Sequence, residues 1–328
     1  MDEFKIIKNL FCKLTKSNEA AQNLNDDVAK ISLKKNEELV VSKDMFVEDL
    51  HFLRSDGAFK IASKLLLTNL SDIAAAGANP LYYMLGFSKN KDLDKKFYTE
   101  FCRGLNFVQS KFDLCLIGGD TVFSQKLVFS ATIFGIVKKN SSLARFKACE
   151  GDLIFVSGNI GDAFLGLLCK QNNLKKLTKS EKNYFLDRHF YPTPRIELGK
   201  NLLKKKLANA AIDISDGFFS DLRHICQASK LDAKVYLNKI PISDFAKKAL
   251  KKNSQIENFD LFSGGDDYEL IFSSNPKNLK KILTLSKDLK LRISCVGSFV
   301  NSCKKSPKID LFSETNQKIT IKKFGYEH

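Results

Sequence analysis

Aspartate residues stand beside glycine, serine or asparagine at six places in this chain, close to the ends of apolar runs. The six motifs are Asn25-Asp26-Asp27, Ser42-Lys43-Asp44, Asn69-Leu70-Ser71-Asp72, Gly118-Gly119-Asp120-Thr121, Asp213-Ile214-Ser215-Asp216-Gly217 and Ser263-Gly264-Gly265-Asp266-Asp267. Carboxylates that converge in a fold are costly unless a cation neutralises them. Oxygen-only ligand sets suit Mg²⁺, and glycines let backbone N–H groups approach a phosphate. The pattern therefore predicts an enzyme that handles a nucleotide triphosphate with magnesium.

Two of these motifs are predicted to lie in regular elements. Alternation along a strand over 38–42 puts Ser42 and Asp44 on one face and Lys43 on the other, so the pair either offers two oxygens to a metal or ends a strand in a turn. Asp72 lies within a predicted helix over 59–76 that is rich in alanine and leucine. A carboxylate on an apolar helix is unusual, which favours a functional role for Asp72.

The glycine-bearing motifs each follow a predicted strand. Gly118-Gly119-Asp120-Thr121 lacks the lysine and the spacing of a Walker A loop. A tight hairpin turn would explain its glycines, but not the second Gly-Gly-Asp at 264–266. Asp213 and Ser215 point to one side, and Asp216 stands at the start of a predicted helix over 217–229. Asp216 is therefore either a ligand or an N-cap.

The other candidates are single residues with an ordinary alternative. His51 follows the first strand motif, although a lone histidine is more often structural. Arg145 lies in a polar segment over 138–150 and is either a phosphate clamp or a solvated arginine.

Strands and helices alternate along the chain, which predicts a mixed α/β class with two domains, residues 1–140 and 141–328. The polar segment after Lys138 sets this boundary. Further helices are predicted over 1–22, 93–110, 196–207 and 278–287, with 174–182 as a lysine-rich surface segment. Strands are predicted over 82–87, 114–117, 127–137, 153–157, 211–214, 234–237, 268–273 and 293–299.

Composition limits the function classes. The chain has 53 Lys+Arg against 37 Asp+Glu, a net charge of +16. The lysines are spread over predicted helix faces without interleaved aromatics, which disfavours nucleic-acid binding. The N-terminus lacks the apolar core of a signal peptide, and no apolar stretch is long enough to span a membrane. The eight cysteines form no CxxC pair, which favours a reducing, cytoplasmic location.

Taken in order, the motifs resemble those of the thiamine-monophosphate kinase family. This family belongs to the superfamily of aminoimidazole ribonucleotide synthetase, selenophosphate synthetase and a hydrogenase maturation dehydratase. The resemblance covers nearly the whole chain and includes a further segment over 188–195. It implies a two-domain aminoimidazole ribonucleotide synthetase-like fold, in which the N-terminal domain forms a homodimer through its sheet or barrel and the C-terminal domain is α/β. It also implies the transfer of phosphate from ATP to thiamine monophosphate.

The resemblance also implies roles for individual residues. The residues implied to bind several Mg²⁺ ions are Asp27, Asp44, Asp72, Asp120 and Asp213, with Ser42 and the main chain of Lys43 assisting and Asp216 at another ion. Those implied to bind ATP are Gly119, Asp120, Arg145 and Ser215. Those implied to bind thiamine monophosphate are His51, Asp266 and an aromatic residue, Phe324 or Tyr326. Because the attacking phosphate oxygen is already anionic, direct in-line transfer without a general base or a phosphoenzyme is expected.

Two positions depart from the family pattern. Lys43 replaces a small hydroxyl residue, and Asp266 replaces a glutamate that is one methylene longer. Another ATP-dependent enzyme of the superfamily, similar to aminoimidazole ribonucleotide synthetase, is the main alternative. A non-catalytic binder of thiamine phosphates and a basic nucleic-acid binder are the others. A selenophosphate synthetase needs a reactive N-terminal Cys or Sec, and the hydrogenase protein needs a C-terminal Cys, whereas this chain ends in His328.

Overall fold

The structure, a computed structural model, describes residues 3–302 and 306–325. The chain divides into two compact units, one formed by Met1–Ile73 with Ala78–Ser141 and the other by Ala74–Gly77 with Ser142–His328. None of the described helices combines the length and apolarity needed to cross a membrane.

The first unit is built on a four-stranded sheet with the strand order β1-β4-β2-β3. Its elements are the short helices α1 (Glu3–Ile6) and α2 (Cys12–Leu14), strand β1 (Glu37–Val47), helix α3 (Ala58–Ala75), strand β2 (Asn79–Lys89), helix α4 (Lys95–Phe112), and strands β3 (Cys115–Phe123) and β4 (Val128–Lys138). β1 and β2 run antiparallel to β4, whereas β3 runs parallel to β2.

Helices α3 and α4 cover one face of this sheet. Buried and half-buried residues alternate along β4, as expected of a strand with one face on a core. The Phe101 ring of α4 packs 4.7 Å from Phe129 of β4, and Asn69 of α3 donates a hydrogen bond of 3.0 Å to the Ala131 carbonyl. The carboxylate-bearing helix α3 is therefore fixed against the centre of the sheet.

The second unit contains a seven-stranded sheet with the order β11-β10-β7-β9-β5-β8-β6. Its strands are β5 (Leu153–Ser157), β6 (Ala211–Asp213), β7 (Leu231–Tyr236), β8 (Leu270–Ser274), β9 (Ile293–Asn301), β10 (Ile309–Phe312) and β11 (Lys318–Ile319). Its helices are α5 (Asp162–Lys170), α6 (Lys179–Phe190), α7 (Ile196–Lys204), α8 (Phe218–Ser229), α9 (Asp244–Lys252), α10 (Asn258–Ser263) and α11 (Leu279–Asp288). An apolar core joins this sheet to α5, α6, α8 and α9.

Several predicted elements differ from the structure. The predicted helix over 1–22 is wrong beyond Leu14, because Lys16 and Ser17 have positive φ angles and a separate 3-10 turn spans Glu19–Leu24. The strand predicted over 38–42 continues to Val47, so Ser42 and Asp44 lie in the middle of β1 and not at its end. The lysine-rich segment over 174–182 runs into α6, which begins with Thr178 and Glu181 in a reciprocal capping box. Helices α9 and α10 and strands β10 and β11 were not predicted.

Candidate functional site

The central cluster of the first unit joins β1 to α3. The Ser42 hydroxyl donates a hydrogen bond to the Asp72 carboxylate. Thr68 of the same helix donates a bond of 3.1 Å to Asp44. Burial, and then the neighbouring charge of Asp72, raise the pKa of Asp44 to about 6, while the bond from Thr68 opposes this shift. Two carboxylates and two hydroxyls from distant parts of the sequence thus converge.

Lys43 lies on the other face of β1, as strand alternation predicts. Its side chain is exposed, and its ammonium group donates a bond of 3.1 Å to the Ser130 hydroxyl. The positive charge of Lys43 therefore points away from the Asp44 carboxylate.

Asp27 and Asp120 line a second feature of this unit, a cavity of about 230 Å³. Gly118 and Gly119 also line it. The alternative of a tight hairpin turn at this motif is wrong, because Gly118, Gly119 and Asp120 lie within β3 and pair with β2. A Cβ at Gly118 would contact the Met84 side chain, which lies on the face of the sheet opposite Asp44. Asp120 is two residues further along the strand and shares the face of Gly118, so Asp120 and Asp44 lie on opposite faces.

His51 follows β1 in a turn. Its Nδ1 accepts a hydrogen bond of 3.1 Å from the Val47 N–H, and its ring stacks on Phe46 with the ring centroids 5.6 Å apart. These contacts fix the orientation of the imidazole at the end of the strand that carries Ser42 and Asp44.

In the second unit, three predicted residues lie at the end of β6 and in the loop that follows it. Asp213 is buried at the end of β6, where it pairs with Leu270 of β8. Ser215 and Asp216 follow in the loop. The N-cap interpretation of Asp216 is wrong, since Gly217 occupies the cap position and no side chain caps it.

Asp221 of α8 instead holds this loop. Its Oδ2 accepts bonds from the backbone N–H groups of Ser215, Asp216 and Gly217, at 3.0, 3.1 and 3.2 Å. Burial, followed by the charge of Asp216, raises the pKa of Asp221 to about 7. Asp221 was not predicted as a site residue, since one carboxylate on a helix carries no distinguishing signal in the sequence.

The loop that carries Asp266 lies directly beside the loop after β6. The Asp266 N–H donates a bond of 2.8 Å to the Ser215 carbonyl, and the Tyr268 N–H donates one of the same length to the Ile214 carbonyl. Gly265 has a φ of +72°, and a Cβ there would lie 2.4 Å from the Ser215 oxygen. Glycine is therefore required for the two loops to approach this closely.

Two side chains orient the Asp266 carboxylate. The Tyr268 hydroxyl donates to Oδ1 at 3.1 Å, and the buried His189 places its Nδ1 3.5 Å from Oδ2. The predicted aromatic Phe324 lies under the Arg223 guanidinium, with Cζ 4.9 Å from the ring centroid. Tyr326, the alternative, lies outside the described residues.

A buried ion cluster supports this region. Glu269 is fully buried, and its carboxylate is bonded by Arg188 at 3.1 Å, Arg195 at 2.6 Å and the Ser157 hydroxyl at 2.6 Å. Burial alone would raise the Glu269 pKa, yet the two arginines and Ser157 hold this pKa below its ordinary value. The segment over 188–195, which carried part of the resemblance, thus anchors the strand that follows Asp266.

Arg145 is the last predicted residue in this unit. Its carbonyl accepts a bond of 3.0 Å from the Ser229 hydroxyl at the end of α8, which ties the segment before β5 to that helix.

Comparisons with known proteins give the chain its family. The model for the AIR synthase related protein N-terminal domain matches residues 25–137, and that for the C-terminal domain matches residues 150–310. The chain is 36% identical to a thiamine-monophosphate kinase of Buchnera aphidicola subsp. Schizaphis graminum, over 100% of this chain and 98% of that protein. The chain belongs to the thiamine-monophosphate kinase family.

Solved structures of the thiamine-monophosphate kinase family share its fold. The crystal structure of the enzyme from Stenotrophomonas maltophilia K279a matches with a TM-score of 0.83 and 32% identity, over 94% of this chain and 97% of that one. A structure of AaThiL complexed with AMPPCP and TMP matches with a TM-score of 0.77 and 25% identity, over 99% and 97% of the two chains. The mixed α/β fold class and the family resemblance are confirmed.

Proposed function

We propose that this protein is a thiamine-monophosphate kinase, which transfers the terminal phosphate of ATP to thiamine monophosphate and yields thiamine diphosphate, the last step in making that cofactor. Membership of the family supports this reaction. In the structure, the observation that carries the proposal is the convergence of Asp44 and Asp72 with two hydroxyl groups. An ATP-dependent enzyme similar to aminoimidazole ribonucleotide synthetase and a non-catalytic binder are not favoured.

Magnesium fits the donor atoms at this cluster. Carboxylate and hydroxyl oxygens form the hard ligand set that Mg²⁺ prefers. Burial, and then the neighbouring charge of Asp72, raise the pKa of Asp44, and a cation at the two carboxylates would offset that charge. Some of the Mg²⁺ ions would be bound by Asp44, Asp72 and Ser42, with the main chain of Lys43 assisting. When bound, these ions neutralise the charge of two phosphate groups.

The remaining proposed ligands are distributed over both units. Asp27 and Asp120, together with Gly119, would hold the phosphate end of ATP and its magnesium in the cavity of about 230 Å³. That volume is below the roughly 300–1,000 Å³ of pockets that enclose a whole small ligand, so only part of the nucleotide would fit there. Asp213 and Asp216 would hold further Mg²⁺ ions, and the remaining ATP contacts would come from Ser215 and Arg145.

Recognition of the acceptor would depend on the Asp266 loop. Asp266 and His51 would contact thiamine monophosphate, with Phe324 or Tyr326 as an aromatic partner. The acceptor oxygen is an anionic phosphate oxygen, so the side chains need only align the two substrates and no proton has to be removed first.

The proposal extends to assembly and organisation. Val41, Met45 and Val122 expose about half of their surface on the face of the first sheet that helices α3 and α4 leave open. An exposed apolar face of this kind fits a homodimer formed through that sheet. We propose residues 1–140 as the nucleotide-binding and dimerisation domain and residues 141–328 as the C-terminal domain, in a cytoplasmic protein.

Turnover tests the proposed reaction directly. Purified protein is incubated with ATP, MgCl₂ and thiamine monophosphate, and thiamine diphosphate is followed by chromatography. Magnesium-dependent formation of thiamine diphosphate with equimolar ADP is expected. A folded protein that binds both substrates and forms no product would contradict the proposed enzyme and favour the non-catalytic binder.

A further inference from the structure

Phe324 stands between two residues whose backbones are held in place. On one side, the Ser263 hydroxyl at the end of α10 donates a bond of 2.7 Å to the Lys323 carbonyl. On the other side, Gly325 lies against the loop after β6, where a Cβ would be only 2.6 Å from the Asp216 carbonyl oxygen. The position of the Phe324 backbone is therefore fixed from both sides.

The same loop also contacts the backbone next to Asp266. A Cβ at Gly265 would lie 3.1 Å, and one at Gly325 would lie 3.3 Å, from the carbonyl carbon of Asp216. Both glycines thus approach one peptide group closely. Phe324 and Asp266 are their neighbours in sequence, so the fold brings the proposed aromatic contact and the proposed polar contact for thiamine monophosphate into one region.

One side chain of α8 holds the Phe324 ring. The Arg223 guanidinium lies over this ring, with Cζ 4.9 Å from the ring centroid. Among residues 3–302 and 306–325, the buried Nε of Arg223 finds no hydrogen-bond partner, so no bond at Nε orients the guanidinium. A planar guanidinium is attracted to the face of an aromatic ring. Arg223 and Phe324 therefore restrict each other's movement.

Arginine is a costly choice for covering a ring at this position. A buried N–H group without a partner is unfavourable, because the group has lost its bonds to water. A methionine at the position of Arg223 would cover the Phe324 ring without that cost. The arginine therefore contributes orientation of the ring in place of stability, which is typical of residues that support a binding site.

We propose that Arg223 is a positioning residue for the acceptor, which holds the Phe324 ring in the orientation that contacts thiamine monophosphate. A ring that is fixed before binding loses less conformational entropy when the ligand arrives. Arg223 acts through Phe324 and does not itself touch the substrate. The inference rests on the proposed function, and it assigns the aromatic contact to Phe324.

A double-mutant cycle tests whether Arg223 acts through Phe324. The Kd of thiamine monophosphate is measured by calorimetry in MgCl₂ for the wild type, Arg223→Met, Phe324→Leu and the double variant. Arg223→Met should weaken binding about fivefold, as expected for the loss of one cation–ring contact. The same change should have no further effect in the presence of Phe324→Leu. In turnover, the KM for thiamine monophosphate should rise by the same factor, with kcat and the KM for ATP unchanged.

Two further variants separate this role from a general effect. Arg223→Lys keeps the positive charge but loses the planar guanidinium, so it should recover only part of the lost affinity. Lys248→Met is the matched control, because its ammonium group also lies over a ring of the second unit, 5.8 Å from the Phe245 centroid. Lys248→Met should leave the Kd unchanged. Circular dichroism verifies that each variant is folded.

Two results would overturn the role of Arg223. An unchanged Kd in Arg223→Met would show that the Phe324 ring needs no support. An equal loss of affinity with and without Phe324→Leu would show that Arg223 acts independently of the ring, as a direct contact to a phosphate would.

The binding measurement also separates this role from the proposed reaction. A protein that binds thiamine monophosphate, shows the expected cycle and forms no thiamine diphosphate would refute the kinase and support the role of Arg223. A wild-type protein that binds no thiamine monophosphate would refute both.

Discussion

At the scale of single residues, the pairing of Asp44 with Asp72 is the feature that most affects both stability and chemistry. The two carboxylates are held together by the fold, with Ser42 and Thr68 as hydroxyl donors. Burial of Asp44, and then the charge of Asp72, raise the pKa of Asp44 above its ordinary value of 3.8, to about 6. The fold therefore bears a cost at neutral pH that a bound cation would offset.

Asp44→Asn should abolish turnover and yet stabilise the cation-free protein. The folded state holds the Asp44 proton more tightly than the unfolded state, so wild-type stability falls as the pH rises from about 4 to about 6 and stays lower above that range. At pH 8 in EDTA, the variant should gain about 1–3 kcal/mol in free energy of unfolding, because one pKa unit corresponds to about 1.4 kcal/mol.

Urea titrations at pH 4 and pH 8 measure this difference, which should vanish at the lower pH. Asp49→Asn is a suitable control, because Asp49 is exposed and its ion pair with Lys126 lies at the surface. Near-normal turnover of Asp44→Asn would remove Asp44 from the proposed magnesium ligands.

Tyr268 is a positioning residue for the proposed substrate contact. Its hydroxyl donates to Asp266 at 3.1 Å, and both residues have positive φ angles, so the loop holds a less favourable backbone conformation. Tyr268→Phe should raise the KM for thiamine monophosphate about fivefold, for a hydrogen bond worth about 1 kcal/mol, and leave the KM for ATP unchanged.

Steady-state kinetics with each substrate varied in turn measure this split. Tyr184→Phe is the matched control, because Tyr184 donates a similar bond of 2.7 Å to Asp162 in the same unit. An equal rise of both KM values in Tyr268→Phe would indicate a general disturbance of the fold, contrary to the proposed role of Asp266.

At the scale of elements, the Gly118-Gly119-Asp120 motif acts through strand pairing and not through a turn. Gly119 pairs with Leu85 of β2, and a Cβ at Gly119 would lie 2.0 Å from the Leu85 carbonyl oxygen. At Gly118, a Cβ would meet only Met84, with the mobile Cε end of that side chain nearest at 3.0 Å. Two adjacent glycines thus differ sharply in how much space the fold leaves them.

Gly119→Ala should therefore destabilise the protein by about 1–3 kcal/mol, since a rigid backbone atom has to move. It should also raise the KM for ATP, because Gly119 lines the cavity that Asp27 and Asp120 share. Gly118→Ala should cost less, because the Met84 side chain can turn aside. Thermal unfolding of the two variants, measured in parallel, tests the difference, and equal losses would contradict the steric argument.

At the scale of the whole molecule, the open face of the first sheet is the surface on which assembly would depend. Met45 is 51% exposed in β1, at one edge of the sheet, and Val122 is 50% exposed in β3, at the other edge. An aspartate at Met45 would place a charge in an apolar contact, where an unpaired charge is strongly unfavourable.

Met45→Asp should convert a dimer into a monomer in sedimentation velocity experiments at micromolar concentration. Leu283→Asp on α11 is the control, since Leu283 is similarly exposed on the second unit. A wild-type protein that sediments as a monomer would refute the proposed homodimer, and a Met45→Asp variant that remains dimeric would place the contact elsewhere.

Features that depend on local pattern could be predicted from the sequence. Helix α3 and strand β4 were predicted within one or two residues, because their apolar residues recur with the period of the element. The unusual carboxylate within α3, and the order of the six motifs, were sufficient to predict the family. Alternation also placed Lys43 correctly on the face opposite Asp44.

The contacts between side chains from distant segments became known from the folded structure. Ser42 and Asp72 are 30 residues apart, and nothing in either local sequence specifies their contact. The place of Gly119 within a strand became evident only from its close approach to β2, and Asp221 is an ordinary helical residue until the loop of Asp216 packs against it. Local patterns record burial and period, whereas contacts between distant segments depend on how the elements pack.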